Sequence, residues 1–291
     1  VIRIALTLGY DGTEFHGWAR QPGLRTVQET LEDALEMIVR APVRVVVAGR
    51  TDAGVHARHQ VVHFDLTEEQ AGRVIGRSPD GLEAALVRRL DGTLARVLGS
   101  LRGSVVVQRA AQAHPAFDAR FSALDRTYSY RIADDRSAWD PVSRHTAWWV
   151  PERLDIDAMA SAARLLAGVH DFASFCKPRE GATTIRGVTS AAVGRGADGL
   201  VQVRITADAF CHHMIRMIVA ALAVVGRGES GPERIAARLA GQWQGPVPAM
   251  APPHGLVLEG ISYPPDAELA ARNAVTRALR TPDLGGSGGV R

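Results

Sequence analysis

The chain has 291 residues, 46% of them hydrophobic and 22% charged, with a formal net charge of +3. That composition supports an extended core in one or two domains and excludes a fibrous, disordered or disulfide-stapled class. Cys176 and Cys211 are the only cysteines and lack zinc-ligand spacing, and no apolar run reaches 18 residues, so the expectation is a reducing, cytoplasmic protein that does not span a membrane.

The first predicted element is a strand over Ile2–Gly9, which reads as structure rather than as a signal peptide. A glycine-rich loop, YDGTEFHGWARQPGLR, leads to a helix in which Thr26 and Glu29 have capping-box spacing and Val27, Leu31, Leu35 and Ile38 share a face. Strands are expected at Val43–Val47 and Val61–Leu66, a helix at Leu82–Leu90 and a strand at Ser104–Arg109. The second half repeats this order: strand Thr127–Ile132, helix Ile156–Ala167, strands Val188–Gly194 and Leu200–Thr206, helix Phe210–Val225 and a last strand Leu256–Ile261. Each half reads βαββαβ, the ferredoxin-like split unit. The predicted class is α+β, with two tandem ferredoxin-like lobes forming a continuous, mostly antiparallel sheet around a central active-site cleft. The expected divisions are 1–112, 113–268, and a C-terminal extension from 269 that ends in the flexible tail GGSGGVR from Gly285.

The chemistry concentrates in AGRTDAGVHARHQVVHFD, from Ala48 to Asp65. Asp52 stands in a loop between aliphatic strands. One reading makes it a turn-capping aspartate, which Asp before Ala-Gly commonly is. The other makes it a reactive carboxylate. In an extended segment Arg50 would project to the same face, and a guanidinium there would favour the ionised form. Thr51, His56, Arg58 and His59 crowd the same stretch with polar groups that a core does not require. Lys177 is the sole lysine, so the other 33 of the 34 basic residues are arginine. Genomic base composition is one cause of such a bias; either way, planar bidentate cations suit phosphate and base recognition.

Six blocks, in order, resemble the TruA family of tRNA pseudouridine synthases over nearly the whole chain. They are YDGTEFHGWARQ with RTVQ, GRTDAGVHA, FDARFSALDRTYSYRI, GVHDFASF, AFCHHMIRMIVAAL and APPHGLVLEGISYP. Ala19, Asp118 and Ala220 depart from the family pattern, and Asp118 replaces a histidine. The resemblance implies isomerisation of uridine to pseudouridine at positions 38–40 of the tRNA anticodon stem-loop, without cofactor or metal, by a homodimer. It implies that Asp52 acts in glycosidic cleavage, that Arg50 pairs with it, that Tyr128 stacks on the uracil and that Leu256 walls the base pocket. Thr51, His56, Arg58, Arg126 and Arg216 are the further candidates for substrate binding. Arg216, inside an apolar helix, is expected in an ion pair. His212 and His213 are read as adjacent helical residues that point apart and hold no metal.

Two other classes compete. A non-catalytic RNA-binding protein could use the same scaffold. A carboxylate-dependent glycosidase would normally need a second acid, for which Asp11 and Asp65 are the nearest in sequence. GRGADG at Gly194–Gly199 matches a nucleotide-binding pattern but precedes a strand rather than a helix, so a hairpin turn is expected.

Overall fold

The computed structural model describes residues 1–177 and 183–277; the GGSGGVR tail lies outside them. Among these residues ten strands and seven α-helices form an α+β protein built on one mixed sheet. No helix is long and apolar enough to cross a membrane.

The first half contributes β1 (Ile2–Tyr10), α1 (Val27–Val39), β2 (Val46–Val47), β3 (His56–Leu66), α2 (Glu68–Ile75), α3 (Gly81–Leu98) and β4 (Val105–Gln112). The second contributes β5 (Asp125–Ala133), β6 (Trp148–Trp149), α4 (Ile156–Arg164), β7 (Gly168–Asp171), β8 (Ile185–Arg195), β9 (Val201–Ala207), α5 (Met214–Gly226), α6 (Glu233–Leu239), β10 (Leu256–Ser262) and α7 (Leu269–Arg277). The strand order is β4-β1-β3-β10-β5-β9-β8-β7, with β2 on β3 and β6 on β5. The last long strand therefore lies in the middle, parallel to β3 and antiparallel to β5.

Alternation along the strands decides what each face buries. Ile4, Leu6 and Leu8 of β1, Tyr128 and Tyr130 of β5, and Leu256 and Leu258 of β10 all enter one buried cluster with the helices. Leu31, Leu35 and Ile38 of α1 and Leu86, Leu90 and Leu94 of α3 pack into the same cluster, as the 3.6-residue period requires. On the other face Phe117 and Ala119 pack with Ala48 and with Leu269 of α7.

Several predicted boundaries move. The Val43–Val47 strand shrinks to two paired residues, and β3 starts five residues earlier than its alternation suggests. The helix expected at Leu82–Leu90 is twice as long, and α2 was not anticipated. Its start is a complete capping box: the Thr67 hydroxyl accepts from Gln70 N–H while the Gln70 side chain accepts from Thr67 N–H. The segment Phe210–His213 precedes α5 rather than opening it. GRGADG is a hairpin turn, closed by Gly196 N–H to the Leu200 carbonyl (2.9 Å).

Candidate active site

The loop between β2 and β3 is held from several directions before it reaches Asp52. Arg126 on β5 donates to the Ala48 carbonyl (2.9 Å), and Gln60 on β3 donates to the Gly49 carbonyl (2.8 Å). The Tyr10 hydroxyl bonds the Thr51 hydroxyl (2.8 Å), and the Trp18 N–H donates to the Thr51 carbonyl (3.0 Å). Beyond Asp52, the Gly54 N–H donates to the Phe15 carbonyl and the Val55 N–H to the Asp52 carbonyl, both at 3.2 Å. The YDGTEFHGW block is thus the cradle of the loop. Gly17 shows why glycine is needed there: its φ is +88°, and a Cβ would lie 2.9 Å from the Thr51 carbonyl oxygen. Burial pushes the Tyr10 hydroxyl up to about 12, so it stays a phenol beneath the loop.

Because backbone amides and neighbouring side chains satisfy the turn, the Asp52 carboxylate is released from turn-capping. It is partly exposed, and its neighbours come from the second half of the chain. His212 Nε2 lies 3.5 Å from Oδ1, and His213 Nε2 and an Arg216 guanidinium nitrogen each lie 3.5 Å from Oδ2. Arg216 is fixed by donating Nε–H to the Ala251 carbonyl (2.8 Å). The expected ion pair of Arg216 is present, and Asp52 is its partner. Arg50 does not occupy the predicted position: it is exposed and forms no ion pair with Asp52 among the described residues. The chain turns at Asp52 instead of extending, so the alternation argument fails there.

The expectation that His212 and His213 point apart is corrected by the structure. His213 adopts a left-handed conformation (φ 68°, ψ 1°) at the start of α5. The reversal turns both imidazoles toward one carboxylate, with ring centroids 3.7 Å apart. Burial depresses the basicity of His213 below that of an ordinary histidine, and the His212, Arg216 and Lys177 charges add to this against the opposing pull of Asp52. A backbone reversal leaves no trace in hydrophobic period, so only the adjacent pair itself was visible in sequence.

Tyr128 is buried, with its ring edge-on to Phe210 at 5.2 Å. Burial, with further contributions from Tyr10 and the Asp52 charge, lifts its hydroxyl above the ordinary phenol range, so at neutral pH it is uncharged. Leu256 is buried opposite Tyr130, on the strand where Leu258 faces Tyr128. Pro253, just before β10, lies against Gly54, where a Cβ would come within 2.9 Å of its ring. The closing block therefore packs against the Asp52 turn.

Three candidate contacts to substrate, Arg126, Thr51 and His56, are committed to the protein instead. Arg126 is neither surface nor phosphate-facing: it is buried and donates to the carbonyls of Asp208 (2.6 Å), Ala48 and Arg120 (both 2.9 Å). Thr51 is buried against Tyr10. His56 lies between the Gly12 N–H (3.0 Å) and the carbonyls of His145 (2.8 Å) and His254 (3.1 Å), with Asp11 at 3.1 Å. Arg58 is exposed and pairs with Glu259 (3.2 Å) beside a 240 Å³ hollow that it lines with Asp11 and Arg131. Asp118 accepts the N–H groups of Arg120 and Phe121 (both 2.9 Å), so its charge serves a turn. Among the described residues neither candidate second acid pairs with Asp52: Asp65 is held by Arg3 (2.7 Å) and Asp11 by Thr13 and His56, whose hydrogen bonds depress it strongly.

The arrangement is one carboxylate able to act as nucleophile or base, a guanidinium and two imidazoles beside it, and an aromatic and aliphatic wall. A family model for tRNA pseudouridine synthase matches residues 162–264. A tRNA pseudouridine synthase A from Frankia casuarinae is 49% identical over 283 residues, covering 97% of each chain. That from Leifsonia xyli is 47% identical, covering 96% of this chain and 98% of its own, and that from Corynebacterium glutamicum is 43% identical over 98% of both.

Proposed function

The chain belongs to the tRNA pseudouridine synthase family, and from that premise we propose that Asp52 performs the chemical step by which it isomerises uridine in tRNA to pseudouridine. The observation that carries the assignment is a carboxylate free of its own turn, 3.5 Å from Arg216, His212 and His213. A carboxylate so placed either attacks the sugar or removes a sugar proton. In each route the C1′–N1 bond breaks, the uracil turns, C5 bonds to C1′, and the C5 proton is lost as N1 gains one. No net redox change occurs.

Tyr128 supplies a neutral ring against the detached base, and Leu256 the apolar wall. A base held there has left its stack, at a cost of about a few kcal/mol that is least in or beside a loop. We assign the target to positions 38–40 of the anticodon stem-loop on the family resemblance. Arg50, exposed and without an acidic partner at Asp52, is free to move in when the nucleotide is everted and to occupy its place in the helix. Arg58 is the other exposed arginine of the loop region available to phosphate.

Two βαββαβ lobes, 1–112 and 113–268, are the best account of the sheet. The orders β4-β1-β3-β2 and β10-β5-β9-β8 match that of the split unit written twice, and α7 places Leu269 on the face that carries Phe117 and Ala119. The resemblance also supports a homodimer in which arginines of the partner grip the tRNA body, and two free thiols suit a cytoplasmic location.

The test is Asp52→Asn. The variant should bind tRNA with unchanged affinity yet release no tritium from C5-labelled uridine. Retained turnover would remove Asp52 from the chemistry. Product analysis separates the rival classes: isomerised nucleoside, free base, or none.

A further inference from the structure

We infer that Asp52, His212 and His213 form a binding site for one divalent transition-metal ion of the zinc class, and that its occupancy blocks uridine isomerisation. The inhibitory half rests on the proposed role of Asp52; the binding half does not.

One ligand atom from each of the three residues lies within 4.8 Å of the other two. Zinc takes imidazole nitrogen and carboxylate oxygen at about 2.0–2.2 Å, so two donors on a tetrahedral ion stand roughly 3.4 Å apart. Each imidazole Nε2 stands 3.5 Å from one oxygen of the carboxylate, His212 from Oδ1 and His213 from Oδ2. Two imidazoles with one carboxylate, leaving a fourth position for water, is the ligand set of open zinc sites, and nitrogen donors favour zinc, copper, nickel or cobalt over magnesium and calcium.

The set is built into the backbone. Lys177 N–H donates to the His212 carbonyl and Met217 N–H to the His213 carbonyl (both 3.1 Å), which fixes the left-handed reversal that aims both rings at Asp52. All three side chains keep some exposure, at 23, 24 and 36% for Asp52, His213 and His212, so an ion can enter from solvent. Arg216 opposes it, since its guanidinium already lies 3.5 Å from Oδ2. That repulsion makes binding weaker than at a structural zinc. An ion bound there takes up the carboxylate and excludes its attack on the sugar.

The experiment uses the purified full chain. Calorimetric titration with Zn²⁺ should give one saturable site, and Co²⁺ should give the visible absorption of a tetrahedral complex. His212→Ala and His213→Asn should each weaken binding by at least 10-fold; asparagine tolerates the left-handed backbone at 213. Thermal melts identify any variant that fails to fold, in which case His212→Gln replaces it. Pseudouridine formation should fall along the same Zn²⁺ titration curve and return with a chelator. Absence of saturable binding, or binding unaltered in the folded histidine variants, overturns the site; full turnover at saturating Zn²⁺ overturns the block. Asp52→Asn turnover reports on the proposed catalytic role separately: loss of turnover without Zn²⁺ binding would leave that role standing while this inference fell.

Discussion

Arg126→Met separates two roles for one arginine. Methionine keeps the unbranched apolar stem but removes the guanidinium from the carbonyls of Ala48, Arg120 and Asp208, which it meets at 2.6–2.9 Å. A buried acceptor left without its donor costs about 1–3 kcal/mol. Taking the low end for each, because a carbonyl has a second lone pair to satisfy, the sum is ~3 kcal/mol. At roughly 2 °C per kcal/mol for a chain of this size, Tm should fall by about 6 °C. Ala48 lies four residues before Asp52, so the loosened loop should also lower kcat, on the order of 10-fold. Thermal melts without RNA, with kcat and KM for pseudouridine formation over a salt series, make the measurement. The slope of log KM against log salt should match the wild type. An unchanged Tm with a raised KM and a slope reduced by about one would mean that Arg126 neutralises a phosphate, and the positioning argument would fail.

Gly17→Ala should be harmful although glycine and alanine differ by one methyl. The left-handed φ of +88° adds about 1–2 kcal/mol of strain, and the new Cβ would press on the Thr51 carbonyl at 2.9 Å; kcat should drop roughly 10- to 100-fold in a steady-state assay, and a wild-type kcat would refute the cradle. Asp134→Asn addresses acid stability. Burial raises the Asp134 carboxyl, but the Arg195 fork (2.7 and 2.8 Å) and the Leu154 N–H outweigh it and leave it lowered. Its stabilising contribution is therefore complete above the unfolded-state value of about 3.9 and is lost as pH falls through the lower folded value. Urea melts should show the variant ~3 kcal/mol less stable at pH 7, with a shallower decline below pH 4; parallel pH curves would exclude the pair. Arg50→Ala should leave stability within about 0.5 kcal/mol, because the residue is exposed and unpaired with Asp52, while lowering turnover; unchanged turnover would place it outside the reaction.

What could be read in advance followed from signals with a short range. Thr26 marked the start of α1, and its hydroxyl does accept from Glu29 N–H, although the reciprocal half of the box is not formed. Period-2 alternation located β1, β5 and β9 within about two residues. The short helix α2 escaped because EEQAGRVI buries only Ala71 and Val74, too little for an apolar stripe. The Thr67–Gln70 spacing was the available clue. Around Asp52 the limits were geometric. Motif blocks named the residues, but nothing local indicated that Arg50 would turn outward, that Arg126 and Thr51 would be spent on the loop, or that two histidines 160 residues away would face the carboxylate. Those relations depend on a tight turn, a left-handed residue and a strand order, and none of these has a periodicity.

The placement of β10 has a consequence for how the molecule comes into being. A strand that follows both of its neighbours by more than 120 residues closes the seam between them, since β10 starts at Leu256 while β3 ends at Leu66 and β5 at Ala133. Without residues 256–262, β3 and β5 each present an unfilled edge, and the two halves of the sheet have no strand joining them. Loss of residues 256 onward would therefore divide the protein at its midline rather than trim its border, and such chains would be inactive and open to pairing with one another.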